Sequence, residues 1–305
     1  MRKAVFLLAL LWAFLLCSCN NGVAFDGDAA YRLLESQTRI GDRSPGTPGA
    51  RKCVALIKGE MSKYCSRVYE DRFTVSAEGK KLRLTNIVAL QNPAADKWVL
   101  VCSHWDNRPF CDREEDKALA GKYCPGANDG ASSCAVLMET ARQLSLRKPK
   151  VGVIYVFFDG EDYGHTEKGM YLGSTWFAKQ AKKHFVWKGT EKEVKYGILL
   201  DMIGDSSLNI CKEALSGIYA GKEMAKVWKN AADLGYGDVF IDREKYAVHD
   251  DHIPLNEIAG IPTMDIIDFD YPYWHTTRDT ADKCSPESLK KVGDVVLKTL
   301  LEEKP

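Results

Sequence analysis

The sequence has six histidines, and two of them follow apolar runs closely. Residues 98–103 lead into His104-Trp105-Asp106, and residues 261–267 lead, seven positions on, into Trp274-His275. Two further apolar runs end on acids: residues 151–158 on Asp159-Gly160-Glu161-Asp162, and residues 195–200 on Asp201. A glycine-rich turn, Gly126-Ala127-Asn128-Asp129-Gly130, adds a carboxylate just ahead of a helical stretch. Imidazole and carboxylate are hard-to-borderline ligands that suit Zn²⁺ or a similar divalent ion. The candidate metal ligands are therefore His104, Asp129, Asp162, Asp201 and His275, and Glu161, beside one of them, is left over as a general acid or base.

A single His or Asp after a strand is ordinarily a solvated loop residue. Five such positions arriving at one end of a sheet need another explanation. Asp106 reads as a partner that orients a ligand. His165 and His184 read as solvent-facing, and His249 and His252 as loop residues that line or support a site. Trp105 and Trp274 have the character of core aromatics, but adjacency to His275 makes Trp274 a candidate pocket wall.

These groups converge only if the elements ahead of them lie side by side. Helical patterns cover residues 29–39 and 49–65, split by the breaker run Gly41-Asp42-Arg43-Ser44-Pro45-Gly46-Thr47-Pro48. Strands are expected at 82–91, 98–103, 151–158, 195–202 and 261–267, and helices at 132–146, 169–184, 221–234 and 286–301. Strands alternating with helices give the α/β class: a single three-layer αβα domain with a central mixed, mostly parallel sheet. An antiparallel edge is expected where strands 82–91 and 98–103 adjoin. Open sheets of this kind gather ligands at the carboxyl ends of their strands.

Composition narrows the function classes. Lys+Arg and Asp+Glu both number 42, and no long basic run is present, so no nucleic-acid partner is expected. Apolar residues make up 45% of the chain, ample for a core. Arg2 and Lys3 precede an apolar run, residues 4–16, and then Cys17-Ser18-Cys19. That run is of signal-peptide length and too short to span a bilayer comfortably. Its end resembles a bacterial lipobox, with Cys19 as the lipidated first residue. The expected division is a lipoprotein signal peptide at 1–18, a tether at 19–28 and a catalytic domain at 29–305. The chain would be exported and membrane-anchored, in the periplasm or cell envelope. Disulfides are plausible there. Cys111 and Cys124 flank the polar insertion 112–123 and are the expected pair.

The run from Gly41 to Ala50 resembles the N-terminal segment of zinc-dependent glutaminyl cyclases, which share a fold with the M28 family of zinc aminopeptidases. Further matches are His104-Trp105-Asp106, Gly126-Ala127-Asn128-Asp129, Phe157-Phe158-Asp159-Gly160-Glu161-Asp162 and Leu199-Leu200-Asp201-Met202-Ile203-Gly204. Asp250-Asp251-His252-Ile253-Pro254 and Trp274-His275-Thr276 are the more cyclase-like pieces. The resemblance runs from about residue 29 to the C-terminus.

The cyclase pattern implies one zinc held by Asp129, Asp162 and His275, with Glu161 as proton shuttle. Asp201 and Asp250 become a hydrogen-bonded acidic network, and Trp274 a wall of the substrate pocket. Asp162 stands where animal cyclases have Glu, and their aromatic stretch after this motif is not reproduced at residues 163–168. The family also implies a cis peptide at Asp129-Gly130. The activity implied is cyclisation of N-terminal glutaminyl residues of peptides to pyroglutamate, with release of ammonia. The peptidase pattern implies two zincs bridged by Asp129, with His104 and Asp201 completing the second site and Glu161 activating water. A lipid-anchored binding protein without turnover is a third reading, and the intact Glu161 argues against it.

Overall fold

The apolar runs ahead of the candidate ligands form neighbouring strands. A computed structural model describes residues 24–305; the leader and Cys19 lie outside the described residues. The chain runs α1 (Gly27–Thr38), α2 (Pro48–Met61), β1 (Arg67–Ala77), β2 (Lys80–Gln91), β3 (Lys97–His104), α3 (Ser133–Ser145) and β4 (Gly152–Phe158). Then come α4 (Leu172–Lys179), α5 (Ala181–His184), β5 (Val186–Trp187), β6 (Thr190–Glu191), β7 (Glu193–Asp201) and β8 (Ile210–Glu213). The last elements are α6 (Ala214–Asp233), β9 (Phe240–Tyr246), α7 (His252–Glu257), β10 (Thr263–Ile267) and α8 (Pro286–Glu302).

Six strands form the central sheet in the order β1-β2-β4-β3-β7-β10. The run β4-β3-β7-β10 is parallel, and β1–β2 and β2–β4 are antiparallel. The mixed, mostly parallel sheet is as expected, but its antiparallel edge is built differently. Strand β4 lies between β2 and β3, so strands 82–91 and 98–103 do not adjoin. The edge is completed by β1, which carries no strong pattern because it lies at the rim. Its Arg67, Glu70, Asp71 and Arg72 interrupt any apolar alternation, and only Phe73 and Ala77 are buried.

Period-two alternation sorts the strand side chains into two layers. Val99, Val101, Val153, Tyr155, Ile198 and Leu200 pack in one core with residues of α1, α2, α3, α6 and α8. Leu100, Cys102, Ile154, Val156, Phe158 and Leu199 pack in the other with Phe177 of α4, Ala181 of α5 and Leu255 of α7. Both sheet faces are dry, which is why these strands have nearly continuous apolar sequences.

Three local expectations need correcting. Residues 24–28, assigned to the tether, belong to the fold. Asp26 caps α1 by accepting from the Ala29 N–H, and the Phe25 N–H donates to Asp294. The Phe25 ring fills the space beside Gly293, where a Cβ would stand 2.4 Å from it. Second, residues 169–184 are not one helix. Tyr171 takes a left-handed φ of 55° ahead of α4, and Gln180 separates α4 from α5. The break turns the Tyr171 N–H to the Glu161 carbonyl at 2.9 Å, so the site interrupts the helix. Third, His184 is buried, stacked on Phe177 at 4.6 Å and 2.9 Å from the Tyr69 hydroxyl. His165 is exposed as expected.

The C-terminus is fastened electrostatically. Glu303 accepts from Tyr196 of β7 at 2.8 Å and pairs with Lys195 and Lys226 of β7 and α6. Burial alone would raise its pKa, but these three partners outweigh it and lower the carboxyl to about 2. A depressed folded pKa contributes stability that is complete above the unfolded value near 4.3 and disappears as pH falls towards the folded one. Glu303→Gln is therefore expected to be less stable than the parent at pH 6, with the gap closing between about pH 4.5 and pH 2. Urea melts across that range measure it.

Candidate active site

The parallel strands end side by side and deliver their next residues into one cleft. β3 ends on His104, β4 is followed by Glu161 and Asp162, β7 ends on Asp201, and the segment after β10 brings in Trp274 and His275. Asp129 comes from the turn ahead of α3, where it has φ −81° and ψ 93°, and Gly130 has φ 91°. There is no cis peptide among the described residues, so the expected one at Asp129-Gly130 is not present. Gly130 makes the turn instead, and a Cβ there would lie 2.8 Å from His104 Cε1.

Asp129 sits at the centre. Its Oδ1 is 3.1 Å from His104 Nε2, and its Oδ2 is 3.6 Å from His275 Nε2. His104 Nε2 also lies 3.2 Å from Asp201 Oδ1, and His275 Nε2 lies 3.4 Å from Asp162 Oδ1. Two triads with converging ligand atoms result: Asp129, Asp162 and His275, and His104, Asp129 and Asp201. All five residues are buried.

Their electrostatics call for a cation. Burial, then the neighbouring Asp162 charge, pushes Glu161 well above its ordinary pKa. Burial also raises Asp162 and Asp201. His275 is raised to about 9, because Asp162 and Asp112 outweigh the effect of its own burial. Asp162 Oδ2 is buried with no partner. Oxygen and imidazole donors in threes, with an open acceptor and too few positive charges, fit a divalent ion such as zinc.

Outer residues hold the donors in place. Asp106 accepts from the backbone N–H groups of Glu161 and Asp162 at 3.2 and 3.3 Å, the orienting role expected of it. Asp279, absent from the candidate set, accepts from the Asn128 and Asp129 N–H groups at 2.8 and 3.2 Å. Arg43 is fully buried and donates to the Pro125 and Gly126 carbonyls of the Asp129 turn. Asp112 lies 2.9 Å from His275 Nδ1, which leaves Nε2 free for a metal. Arg108 bridges Asp112 and Asp162. Of these partners, Asp106 and Arg43 stand in motifs of the sequence; Asp279, Asp112 and Arg108 do not.

Asp250 lines the same cleft. Burial and then the Asp201 charge raise it to about 6. Behind it is Asp265, whose carboxyl has no partner for either oxygen and is raised well above its usual range by burial and by Asp250. Asp265 was not singled out, yet a signal existed: a carboxylate inside the apolar strand Thr263–Ile267. Glu213 caps α6 and also accepts from the Val248 N–H at 2.9 Å, which ties the Asp250 loop to the junction of β8 and α6.

The cleft has a volume of about 60 Å³. Its walls include Trp274, Phe269, Ile267, Tyr171 and His249, with Glu161, Asp129, Asp162 and Asp201 among the lining residues. Phe269 and Trp274 pack at 5.1 Å and Tyr171 stacks on His249 at 5.2 Å. His249 thus lines the site, and His252 is buried at the start of α7. A larger cavity of 880 Å³, between α2 and the β1–β2 ribbon, holds none of the ligands.

Residues 86–300 match peptidase family M28. The glutaminyl-peptide cyclotransferase of Gloydius blomhoffii is 26% identical over 294 residues, covering 86% of this chain and 77% of its own. The crystal structure of Bacteroides thetaiotaomicron glutaminyl cyclase bound to N-acetylhistamine superposes with a TM-score of 0.87. It is 34% identical and covers 92% of this chain and 99% of its own. A structure of a leucine aminopeptidase precursor from the same organism gives the same identity and TM-score, covering 92% and 98%.

The Asp112–His275 contact makes a test of the site. Outer-shell partners of metal-binding histidines contribute roughly 10- to 100-fold in affinity. Asp112→Ala is expected to weaken zinc binding by that factor with the fold retained, read by chelator competition alongside circular dichroism.

Proposed function

The chain belongs to peptidase family M28, and we propose that within it the protein cyclises N-terminal glutamine of peptides to pyroglutamate, releasing ammonia. The observation that carries the reading is the cleft itself. The two cyclase-like segments of the sequence supply Asp250 and Trp274, and both line the cleft that holds Glu161 and the Asp129–Asp162–His275 triad. The likeness to a glutaminyl cyclase along nearly its whole length supports it.

Asp129, Asp162 and His275 would hold zinc. When bound, zinc supplies Lewis-acid polarisation of the substrate's side-chain amide carbonyl. The substrate's α-amine is the nucleophile, so the protein needs no nucleophile of its own. Trp274 and Phe269 pack against the glutaminyl side chain and hold amine and carbonyl in attacking geometry. Glu161 takes the proton from the amine and delivers it to the departing nitrogen. Its burial raises its affinity for that proton. Asp201 and Asp250, backed by Asp265, form the acidic wall on the far side and share protons there.

A di-metal aminopeptidase is the second reading. The His104–Asp129–Asp201 triad favours it, and so does the likeness to the leucine aminopeptidase precursor. A Gln-initiated and a Leu-initiated peptide, followed by mass, separate the two. Loss of ammonia from the first with the second intact is expected. Release of free leucine, with two zincs per chain, would establish the peptidase instead. Glu161→Gln is expected to abolish cyclisation while zinc stays bound; retained turnover would remove Glu161 from the proton path.

The leader extends this proposal to location. Cleavage before Cys19 and acylation of its thiol would tether the enzyme to a membrane of the cell envelope. No helix among the described residues is long and apolar enough to cross one. Cys19→Ala is expected to move the protein from the membrane fraction to the soluble one on cell fractionation.

A further inference from the structure

The segment 111–124 is a strap laid across the residues around His275. Asp112 holds His275 Nδ1 at 2.9 Å, and the Arg113 N–H donates to the His275 carbonyl at 3.3 Å. The Arg113 guanidinium lies 4.0 Å from the Trp274 ring centre. Glu114 Oε2 accepts from the Thr277 N–H and hydroxyl at 2.8 and 2.6 Å. One strap therefore touches Trp274, His275 and Thr277. Beneath it, His275 has φ 56°, a left-handed conformation that costs a non-glycine residue free energy and persists only when its surroundings enforce it.

The strap has no core of its own. Residues 112–123 are exposed or half-buried, and only its two ends, Cys111 and Cys124, are buried. The ends are held in register: the Cys111 N–H donates to the Ala120 carbonyl and the Cys124 N–H to the Arg108 carbonyl, each at 2.9 Å. The two thiols are unbonded and their sulfurs are 2.7 Å apart.

We propose that Cys111 and Cys124 form a disulfide that locks this strap over His275, so that the bond sets how firmly the site retains its metal. The metal half of the proposal rests on the metal reading of the site above. The reaction is thiol–disulfide exchange. An oxidised dithiol carrier of the exporting compartment, or glutathione disulfide in vitro, accepts two electrons and both thiol protons. One S–S bond forms between the cysteines, and the oxidant's S–S bond opens to two thiols. The closed loop then keeps Asp112 against Nδ1, Nε2 towards Asp129 and Asp162, and His275 in its strained backbone state. In this role Asp112 and the two cysteines are positioning residues.

The test starts with the exported protein, alkylated without reduction and digested with trypsin. Arg113, Lys117 and Lys122 lie between the cysteines, so the bond appears as two peptides joined through Cys111 and Cys124. Both cysteines alkylated would overturn the disulfide. Zinc retention is then measured by chelator competition for the oxidised protein, for protein reduced with a phosphine and alkylated, and for Cys111→Ser with Cys124→Ser. Reduction is expected to loosen zinc about 10-fold, the effect of losing one outer-shell partner. The same treatment in an Asp112→Ala background is expected to add little. A lower melting temperature with unchanged zinc affinity would overturn the positioning role, because the bond would then be merely structural. If the double variant does not fold, the reduced parent carries the comparison. Absence of zinc from the oxidised protein would overturn the metal reading and the retention half with it. The peptide map would still decide the disulfide.

Discussion

Like charges repel more strongly as water is withdrawn, and this protein withdraws water from a whole set of carboxylates. Asp129, Glu161, Asp162, Asp201, Asp250, Asp251 and Asp265 are all buried at one end of the sheet. The positive groups among them, His104, His275 and Arg108, are too few to neutralise the set. Such an arrangement is stable only with protons shared among the acids or with a divalent cation between them. Much of the neighbouring structure answers that requirement. Asp106 and Asp279 point their acceptor oxygens at backbone N–H groups of the ligand-bearing turns. These two acids fix the geometry of the turns that carry the ligands.

The site's inner residues were legible in the sequence because strand ends are legible. A run of apolar residues has to stop where the sheet stops, and a charged group at that boundary is already located in three dimensions. His104, Glu161, Asp162 and Asp201 follow that logic. Trp274 is legible from its place beside His275, whereas Asp250 is found only through its motif, since it stands on a loop whose course no periodicity records. Arg43, Asp112 and Asp279 escaped because their roles are contacts across 82 to 163 positions of chain, the span from Arg43 to Pro125 and from Asp112 to His275. Composition around them carries no trace of such contacts.

The fold divides in the same way. The strands buried on both faces were read correctly, since burial on both sides removes polar residues from them. Strand β1 and the pair β8–β9 were not, because an edge or a short outlying pair has one wet side and a mixed sequence. The helix broken at Tyr171 was read as continuous for a related reason. Its apolar spacing persists through the break, and only the need to bring the Tyr171 amide to the Glu161 carbonyl interrupts it.

Asp129, Asp162 and His275 converge in space but not in sequence. The first two are 33 positions apart (162 − 129) and the last two 113 (275 − 162). A cation held by all three is therefore a cross-link between distant parts of the chain, closing loops that an unfolded polypeptide would close only at a large entropic cost. Its affinity for the site is then drawn from the same free energy that keeps the domain folded, and the two rise or fall together. Occupancy in this architecture is a thermodynamic brace as well as a source of reactivity: the chain that binds its ion more tightly is also the chain that opens less often.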